Sequence, residues 1–263
     1  MLRSNVLKTL SWETRNLGVS AFALSDEFFV EPDLDLLTQC LSELQASHRS
    51  IFVQARFPTN SRISRIIESA NFYFIETALS PYSNLRKNVA LSTFSVNPRF
   101  FLPARYSLND MRLTADVRQY PILLAAIKGI AVEAFSDDRF HRDHNCDPTT
   151  ASRRYLFWVE DLLNDTAVRF HVLSHKEQPV SFMASREGNL LLAGFAAKFA
   201  GSGMGEYFWL SVMQSLMSQQ IDRVETLISA NNTRVLNLYA KIGFKFRFPQ
   251  STFHYWSKAS VNP

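Results

Sequence analysis

The C-terminal half of the chain contains a glycine-rich run, Gly201-Ser-Gly203-Met-Gly205, that could bind a diphosphate. It lies between an apolar segment typical of a strand, 189–199, and a segment with helical spacing, 204–219. A helix N-terminus offers unpaired backbone N–H groups, and glycines let a ligand approach them without Cβ obstruction. The run is equally compatible with a plain strand-to-helix turn. It is not a P-loop, because no Lys-Ser/Thr follows, and it is a poor dinucleotide fingerprint, because a meander of strand candidates precedes it.

A second segment, 232–244, reads Asn-Thr-Arg-Val-Leu-Asn-Leu-Tyr-Ala-Lys-Ile-Gly-Phe. Four of its side chains follow helical spacing and would share one face: Val235, Leu238, Tyr239 and Ile242. Gly243 is placed to end that helix, and the phenylalanine after it would return the chain to a sheet. Taken alone, Tyr239 would be interpreted as a core residue with a satisfied hydroxyl.

Together the two segments resemble the GNAT family of N-acyltransferases. In that family a strand is followed by Gln/Arg-x-x-Gly-x-Gly/Ala and later by Asn-x-x-Ala/Val-x-x-Leu-Tyr-x-Lys-x-Gly-Phe. The second pattern is complete here, at Asn232, Val235, Leu238, Tyr239, Lys241, Gly243 and Phe244. The first is partial, because Gly203 and Gly205 match but Ala200 stands where Gln or Arg is usual. The resemblance covers about residues 107 to 258.

The resemblance implies transfer of an acyl group from CoA to an amine, with acyl-CoA as co-substrate. The residues implied to hold it are Phe195, Ala196, Ala197, Gly201, Ser202, Gly203, Met204, Gly205 and Asn232. Backbone donors at 195–197 would stabilise the oxyanion that develops on the thioester carbonyl. Tyr239 would act as a general acid that protonates the departing CoA thiolate.

The base that would deprotonate the amine is not fixed by the sequence. Many relatives place a carboxylate on the central strand, but the segment 189–199 contains none. A polar loop offers Asp137, Asp138, His141 and His144, acting directly or through water. His141 is our candidate base, because histidine titrates at about pH 6.5. Two alternatives stay open. The loop residues could be solvated charges without a catalytic role, or no side chain acts as base and water removes the proton from the amine.

Two further segments resemble one subgroup of the family, the dTDP-fucosamine acetyltransferases and related nucleotide-sugar N-acyltransferases. They are Phe135-Ser-Asp-Asp-Arg-Phe-His141, and Leu10-Ser-Trp-Glu13 with Leu17-Gly18. The resemblance implies a dTDP-linked amino-dideoxy sugar as acceptor, used for surface polysaccharide (O-antigen or capsule). The acyl group would be acetyl or a small hydroxyacyl group such as 3-hydroxybutyryl. Aromatic and cationic side chains suit a thymine ring and a diphosphate. The expected substrate contacts are Trp12, Ser136, Arg139, Phe140 and Tyr155, and a surface ion pair is the alternative for Arg139.

Two other functions stay open. The chain could acylate a different amine, such as an aminoglycoside, another small metabolite or a protein terminus. It could also be a non-catalytic acyl-CoA sensor, because the strand carboxylate is missing. The intact Tyr239 favours an enzyme over a sensor.

The elements that would position these residues fall into two halves. Residues 107–263 predict the order αα-βββ-α-β-α-β, which gives a mixed, mostly antiparallel sheet flanked by helices, as in a GNAT domain. Residues 1–106 predict a smaller N-terminal α/β domain, with 81–106 as a crossing strand and a linker. The predicted class is therefore α/β of the α+β type, with a GNAT domain and an N-terminal half-GNAT-like domain.

The N-terminal half contains an echo of the tyrosine segment. Residues 60–74 align with 232–246 without a gap, and Asn60 matches Asn232. In this alignment Ile67 replaces Tyr239. We interpret residues 1–106 as a degenerate half-GNAT unit that keeps the packing residues, lacks the proton donor and walls the acceptor pocket. Chance similarity between two amphipathic units is the alternative.

Composition narrows the class of protein. Hydrophobic residues make up 46% and charged residues 20% of the 263, which supports a packed core. The net charge of +4 is spread along the chain, so no nucleic-acid partner is expected. Cys40 and Cys146 have no metal-ligand spacing, so no metal is expected. We find no signal-peptide core and no run of 18 apolar residues, so we expect a cytoplasmic protein without membrane insertion. A homodimer is left open.

Overall fold

The computed structural model describes residues 6–115, 117–135 and 138–258. The N-terminal half alternates strands β1 (Leu7–Thr9), β2 (Ser20–Leu24), β3 (Ser50–Pro58) and β4 (Tyr73–Asn84) with helices α1 (Ser11–Leu17), α2 (Asp26–Val30), α3 (Leu34–Ser47) and α4 (Ser61–Ser69). Helix α3 buries Leu37, Cys40, Leu41 and Leu44 on one face.

The second half contains the predicted helix pair, meander and helices. Its elements are α5 (Val89–Val96), β5 (Met111–Ala115), α6 (Pro121–Ala134), α7 (Pro148–Asn164), β6 (Arg169–His175), β7 (Gln178–Arg186), β8 (Asn189–Phe195), α8 (Gly205–Ser218), β9 (Arg223–Glu225), β10 (Ile228–Ser229), α9 (Thr233–Lys241) and β11 (Lys245–Lys258). The Asp147 side chain accepts hydrogen bonds from backbone N–H groups of the first turn of α7, as its position before Pro148 predicts. The single strand predicted between the last two helices is interrupted at 226–227 and forms β9 and β10.

The described strands form one mixed sheet in which the two halves exchange strands. The order is β1-β2-β3-β11-β4-β9-β8-β7-β6-β5, with β10 beside β4. β11 therefore lies between β3 and β4, and β4 lies between β11 and β9. For example, Ser251 of β11 faces Phe57 on one side and Thr77 on the other. The two predicted halves are consequently joined through a single sheet.

The sheet opens between β8 and β9, which run parallel. The two strands pair at one position, Asn189 with Glu225, where β9 ends. β8 continues to Phe195, paired on its other side with β7. Beyond Leu190, whose carbonyl accepts a hydrogen bond from the Thr226 hydroxyl at 2.7 Å, the β9-facing edge of β8 has no partner among the described strands. The result is a slot in the sheet, with unpaired backbone groups on one wall.

The segment 81–106 belongs to the core, so its prediction as a strand followed by a linker is wrong beyond β4. Helix α5 follows closely after β4. Leu85, Leu91, Phe94 and Leu102 are buried in the same apolar cluster as Phe208 of α8. Prolines and polar residues suggested a linker, but they alternate with apolar side chains that cover α8.

Two absences hold for the described ranges of the chain. No group of three or more His, Cys, Asp or Glu side chains in them could hold a metal ion. No helix in them combines the length and apolarity needed to cross a membrane.

Candidate active site

One cavity of about 1480 Å³ is lined by residues from both halves of the chain. Its lining includes the slot wall Leu190–Ala193, together with Asn232 and Tyr239 at helix α9. It also includes α1 from the N-terminal half, through Trp12 and Glu13. Pockets for one drug-sized ligand usually hold about 300–1,000 Å³. This cavity therefore has room for two ligands side by side.

Helix α9 carries Tyr239 into the cavity. The helix starts at Asn232, whose side chain accepts the Val235 N–H at 3.2 Å, and it ends before Gly243, whose φ of 84° favours glycine. Tyr239 is buried, and its ring lies 4.6 Å from that of Phe244. Burial raises the pKa of Tyr239 to about 12, so the phenol is protonated at neutral pH and can donate its proton.

The end of β8 presents one backbone donor to the slot. Ala196 N–H donates to the Val180 carbonyl at 2.9 Å, and Ala197 N–H donates to a Glu133 carboxylate oxygen at 3.4 Å. Because backbone groups alternate along a strand, the Phe195 N–H points to the opposite edge, which faces the slot. Of the three predicted oxyanion donors, Phe195 is thus the one whose N–H is directed at the slot, and none of the three is among the residues that line the cavity.

The glycine-rich turn lies at the start of α8 and is not among the residues that line the cavity. A Cβ on Gly203 would lie 2.9 Å from Pro103, and Arg105 donates to the Ser202 carbonyl at 2.6 Å. The glycine therefore permits close packing as well as ligand approach. The N–H groups of Gly203 and Gly205 have no acceptor in the part of the chain that the structure describes. These donors fit a diphosphate.

Aromatic side chains cover the N-terminal side of the cavity. Trp12, Tyr155, Trp158 and Phe135 all line it. The rings of Tyr155 and Phe135 stack at 4.3 Å, and Trp12 meets Trp158 edge to face at 6.2 Å. The Trp12 indole donates to Asp161 at 2.6 Å, which fixes its orientation. Two predicted substrate contacts, Trp12 and Tyr155, therefore line the same cavity as Tyr239.

A charged cluster lies beside these rings. Arg154 binds Glu13 through two hydrogen bonds, at 2.7 and 2.8 Å, and Arg139 reaches the same carboxylate at 3.3 Å. Arg56 lies 3.5 Å from Glu76, and burial lowers the pKa of Arg56 to about 10. Three guanidinium groups thus face two carboxylates. Arg139 Nε is buried without an acceptor among the described residues, so the cluster has spare donors for an anion.

The remaining predicted residues lie elsewhere. Phe140 is fully buried between Phe52 and His254, and Arg139 lies over its ring at 4.9 Å. His141 pairs with Asp138 and contacts the Ser152 hydroxyl at 3.1 Å, and it is not among the residues that line the cavity. Its assignment as the base stays a prediction. The Ser136 and Asp137 predictions fall outside the described residues.

The cavity residues that sequence reasoning missed include Glu13, Arg56, Glu76, Arg154 and Trp209. A signal was present for two of them, because Arg56 and Glu76 are each the single charged residue of a long strand. Glu13 and Arg154 are buried because they neutralise each other, and sequence alone does not show which charges meet. Trp209 lies on α8, where its ring meets that of Tyr239 edge to face at 6.2 Å, and a hydrogen bond from its side chain partly opposes the rise in the pKa of Tyr239.

No family model matches the chain, and no curated protein matches it. Solved structures do. A GCN5-related N-acetyltransferase from Sphaerobacter thermophilus matches with a TM-score of 0.61 and 13% identity, over 98% of this chain and 78% of that one. A functionally unknown conserved protein from Staphylococcus epidermidis matches with a TM-score of 0.60 and 12% identity, over 96% and 90%.

A tandem GNAT protein from the clavulanic acid biosynthesis pathway matches with a TM-score of 0.57 and 10% identity, over 94% of this chain and 77% of that one. The matches cover nearly all of the described residues, including the N-terminal half. The chain therefore has the GNAT fold, in the mixed, mostly antiparallel form that the sequence predicts.

Proposed function

We propose that this chain is an acyltransferase that moves an acyl group from CoA to the amino group of a small acceptor. The observation that carries the proposal is the convergence of the open edge of β8 and the protonated phenol of Tyr239 at one cavity. An extended thioester arm can enter the slot and pair with strand edges there. The glycine-rich turn supplies N–H donors for the CoA diphosphate.

The residues then divide the reaction among them. The amine nitrogen attacks the thioester carbonyl carbon, and the Phe195 N–H stabilises the negative charge that develops on the carbonyl oxygen. The carbon–sulfur bond breaks, and Tyr239 gives its proton to the sulfur. The phenol regains a proton from the nitrogen, directly or through water. The products are an amide and free CoA, so atoms and charge balance.

The acceptor we propose is a dTDP-linked amino-dideoxy sugar. Support comes from the aromatic wall, which offers faces to a planar thymine ring, and from the cluster of Arg56, Arg139 and Arg154, which suits a diphosphate. The acyl group would be acetyl or a small hydroxyacyl group such as 3-hydroxybutyryl. The product would serve surface polysaccharide synthesis, and the reaction would take place in the cytoplasm, where both substrates are made.

The test is a thiol-release assay with acetyl-CoA and 3-hydroxybutyryl-CoA against a panel of amines. The panel contains dTDP-linked amino sugars, an aminoglycoside and a peptide with a free N-terminus. Turnover confined to the nucleotide sugars supports the proposal in full. Turnover with another amine replaces the acceptor but keeps the acyl transfer. CoA binding without turnover on any amine favours an acyl-CoA sensor.

A further inference from the structure

The carboxylates of the cavity differ in how tightly they are held. Six carboxylates from the described residues line it: Glu13, Glu76, Asp138, Asp161, Asp165 and Glu225. A primary amine enters as an ammonium group and must lose a proton before it can attack. A carboxylate already held in a short ion pair is a poor partner for that group, since its oxygens are in use.

Five of the six have close partners. They are Glu13 with Arg154 at 2.7 Å, Asp161 with Arg15 at 2.5 Å, Asp165 with Arg186 at 3.0 Å, Glu225 with Arg247 at 2.7 Å, and Asp138 with His141. Glu76 differs, because its nearest ion-pair partner among the described residues, Arg56, lies 3.5 Å away. Glu76 is thus the carboxylate of this cavity that is most available to a new cation.

The strand exchange places Glu76 beside the helix that carries Tyr239. Glu76 and Ala78 both line the cavity, as expected of alternate residues on one face of β4. The neighbouring Thr77 carbonyl accepts the Ala230 N–H at 2.7 Å, just before α9 begins. A residue of the N-terminal half is therefore held next to the start of α9.

Arg56, the ion-pair partner of Glu76, has a second hydrogen-bond acceptor. Arg56 Nε donates to the Thr252 hydroxyl at 3.0 Å, so Arg56 does not depend on Glu76 alone. An anionic group on the acceptor can attract Arg56 together with Arg139, which has a spare donor. Glu76 would then be left to the ammonium group of the same acceptor.

We propose that Glu76 binds the ammonium group of the acceptor and accepts its first proton. This inference rests on the proposed acyl transfer. Of the two protons that the nitrogen loses, one passes to the Glu76 carboxylate and then to solvent, and the other ends on the CoA sulfur through Tyr239. The N-terminal half would thereby supply the base that the central strand lacks, as segment 189–199 contains no carboxylate.

The first test compares Glu76→Gln with wild type in the thiol-release assay. The variant keeps the size of the side chain and removes the proton acceptor, so kcat/KM for the amine should fall by about 10²–10⁴-fold, with an unchanged KM for acyl-CoA. Glu68→Gln, at an exposed glutamate of α4, is the control and should match wild type. Wild-type kcat/KM in Glu76→Gln would overturn the inference while leaving the acyl transfer intact.

The pH dependence separates a base from a packing residue. If Glu76 takes the proton, the deficit of Glu76→Gln shrinks as the pH approaches the pKa of the amine, which then loses its proton without help. A deficit that stays constant with pH would contradict the role. The other titratable or charged groups around Glu76 are Arg56 of β3, Arg154 of α7, Glu13 of α1, His254 of β11 and the loop residue Arg139, and each remains present in the variant.

A second test needs no turnover, so it also decides the case in which no amine of the panel reacts. A water-soluble carbodiimide with taurine labels carboxylates that the reagent can reach and that are not held in ion pairs, and peptide mapping locates the label. The side chains of Glu76 and Glu13 are about equally exposed, at 8% and 7%, so a difference in labelling between them reports ion pairing. We expect label on Glu76 and none on Glu13, which Arg154 holds with two hydrogen bonds. Absence of label from Glu76 would overturn its availability to a cation. Absence of turnover, by contrast, would count against the acyl transfer.

Discussion

Helices α4 and α9 occupy matching places in the exchanged sheet, but they meet different surroundings. Each has nine residues, and each is preceded by an asparagine whose side chain accepts backbone N–H groups of the first turn. At their ends, the Phe72 N–H bonds to the Ile67 carbonyl at 3.1 Å and the Phe244 N–H bonds to the Tyr239 carbonyl at 2.9 Å. Each helix then leads into a strand that enters the other half, β4 or β11.

The difference lies at one aligned position. Both side chains are buried in apolar clusters, but Tyr239 also lines the cavity that contains Glu76 and the slot wall, whereas Ile67 does not. Since α4 packs without a tyrosine, the packing of such a helix does not require one. The hydroxyl of Tyr239 is therefore explained by the cavity and not by the core. We interpret the two helix–strand units as copies of one ancestral unit. In this interpretation α4–β4 has a structural role only, whereas α9–β11 also carries the proposed proton donor.

The contrast between α4 and α9 depends most strongly on Tyr239 being required for acyl transfer. Tyr239→Phe keeps the ring against Phe244 and removes the proton. We expect kcat to fall by about 10²–10⁴-fold with little change in KM, because a general acid acts in the transition state. Steady-state thiol release measures both constants. Ile67→Val, which trims the matching residue of α4, should leave kcat unchanged, and an equal loss in the two variants would mean that both act through packing.

A second experiment compares the contributions of Ile67 and Tyr239 to the stability of the fold. Ile67→Ala removes a buried branched side chain and should lower the free energy of unfolding by about 2–5 kcal/mol. Urea denaturation, followed by circular dichroism, gives this value. Tyr239→Phe should cost about 1 kcal/mol or less in the same assay, since only a hydroxyl is lost. A larger stability loss in Tyr239→Phe than in Ile67→Ala would reverse the roles assigned to the two helices.

Much of the fold was accessible from the sequence because its signals are local. The capping asparagines, Pro121 and Pro148 at helix starts, and the strand periodicity of the meander each act within a few residues. The segment 81–106 was misread because prolines and polar residues signal a linker locally, whereas its burial depends on α8 more than one hundred residues later. The exchange of β4 and β11 has no local signal.

The residues of the candidate site were predictable in part. Tyr239 and Asn232 lie in a short motif and line the cavity, as do Trp12, Arg139 and Tyr155, whose role as substrate contacts stays a prediction. The charged cluster was not predictable, because its members come from α1, β3, β4 and α7 and meet only through the exchanged sheet. A single charge within a long strand, as at Arg56 and Glu76, was the one usable hint.

The exchanged strands are also joined by a buried carboxylate. Asp143 accepts hydrogen bonds from Tyr73 of β4 at 2.6 Å and from His254 and Trp256 of β11, both at 2.7 Å. Burial alone would raise the pKa of Asp143, but these donors outweigh it and lower the pKa to about 2. Asp143 therefore stabilises the folded state above its unfolded pKa of about 4, and that stability is lost as the pH falls toward about 2.

Acid unfolding tests whether Asp143 stabilises the contact between β4 and β11. The shift corresponds to about 2 kcal/mol of unfolding free energy that disappears between about pH 4 and pH 2. Asp143→Asn should lower stability at pH 7 and remove most of that pH-dependent loss, as measured by urea denaturation at several pH values. Asp26→Asn, at an exposed carboxylate of α2, serves as control. An unchanged acid profile in Asp143→Asn would mean that other carboxylates control the unfolding of the exchanged strands.

The helix caps give the smallest and most specific comparison. Asn60→Ala and Asn232→Ala each remove a side-chain acceptor from the first turn and should cost about 1 kcal/mol of unfolding free energy. Their effects on activity should differ, because both asparagines are exposed but only Asn232 of the two lines the cavity. Asn232→Ala should therefore raise the KM for acyl-CoA, whereas Asn60→Ala should not. Equal kinetics for the two variants would show that the aligned asparagines are both caps and nothing more, and the functional difference between the copies would then rest on Tyr239 alone.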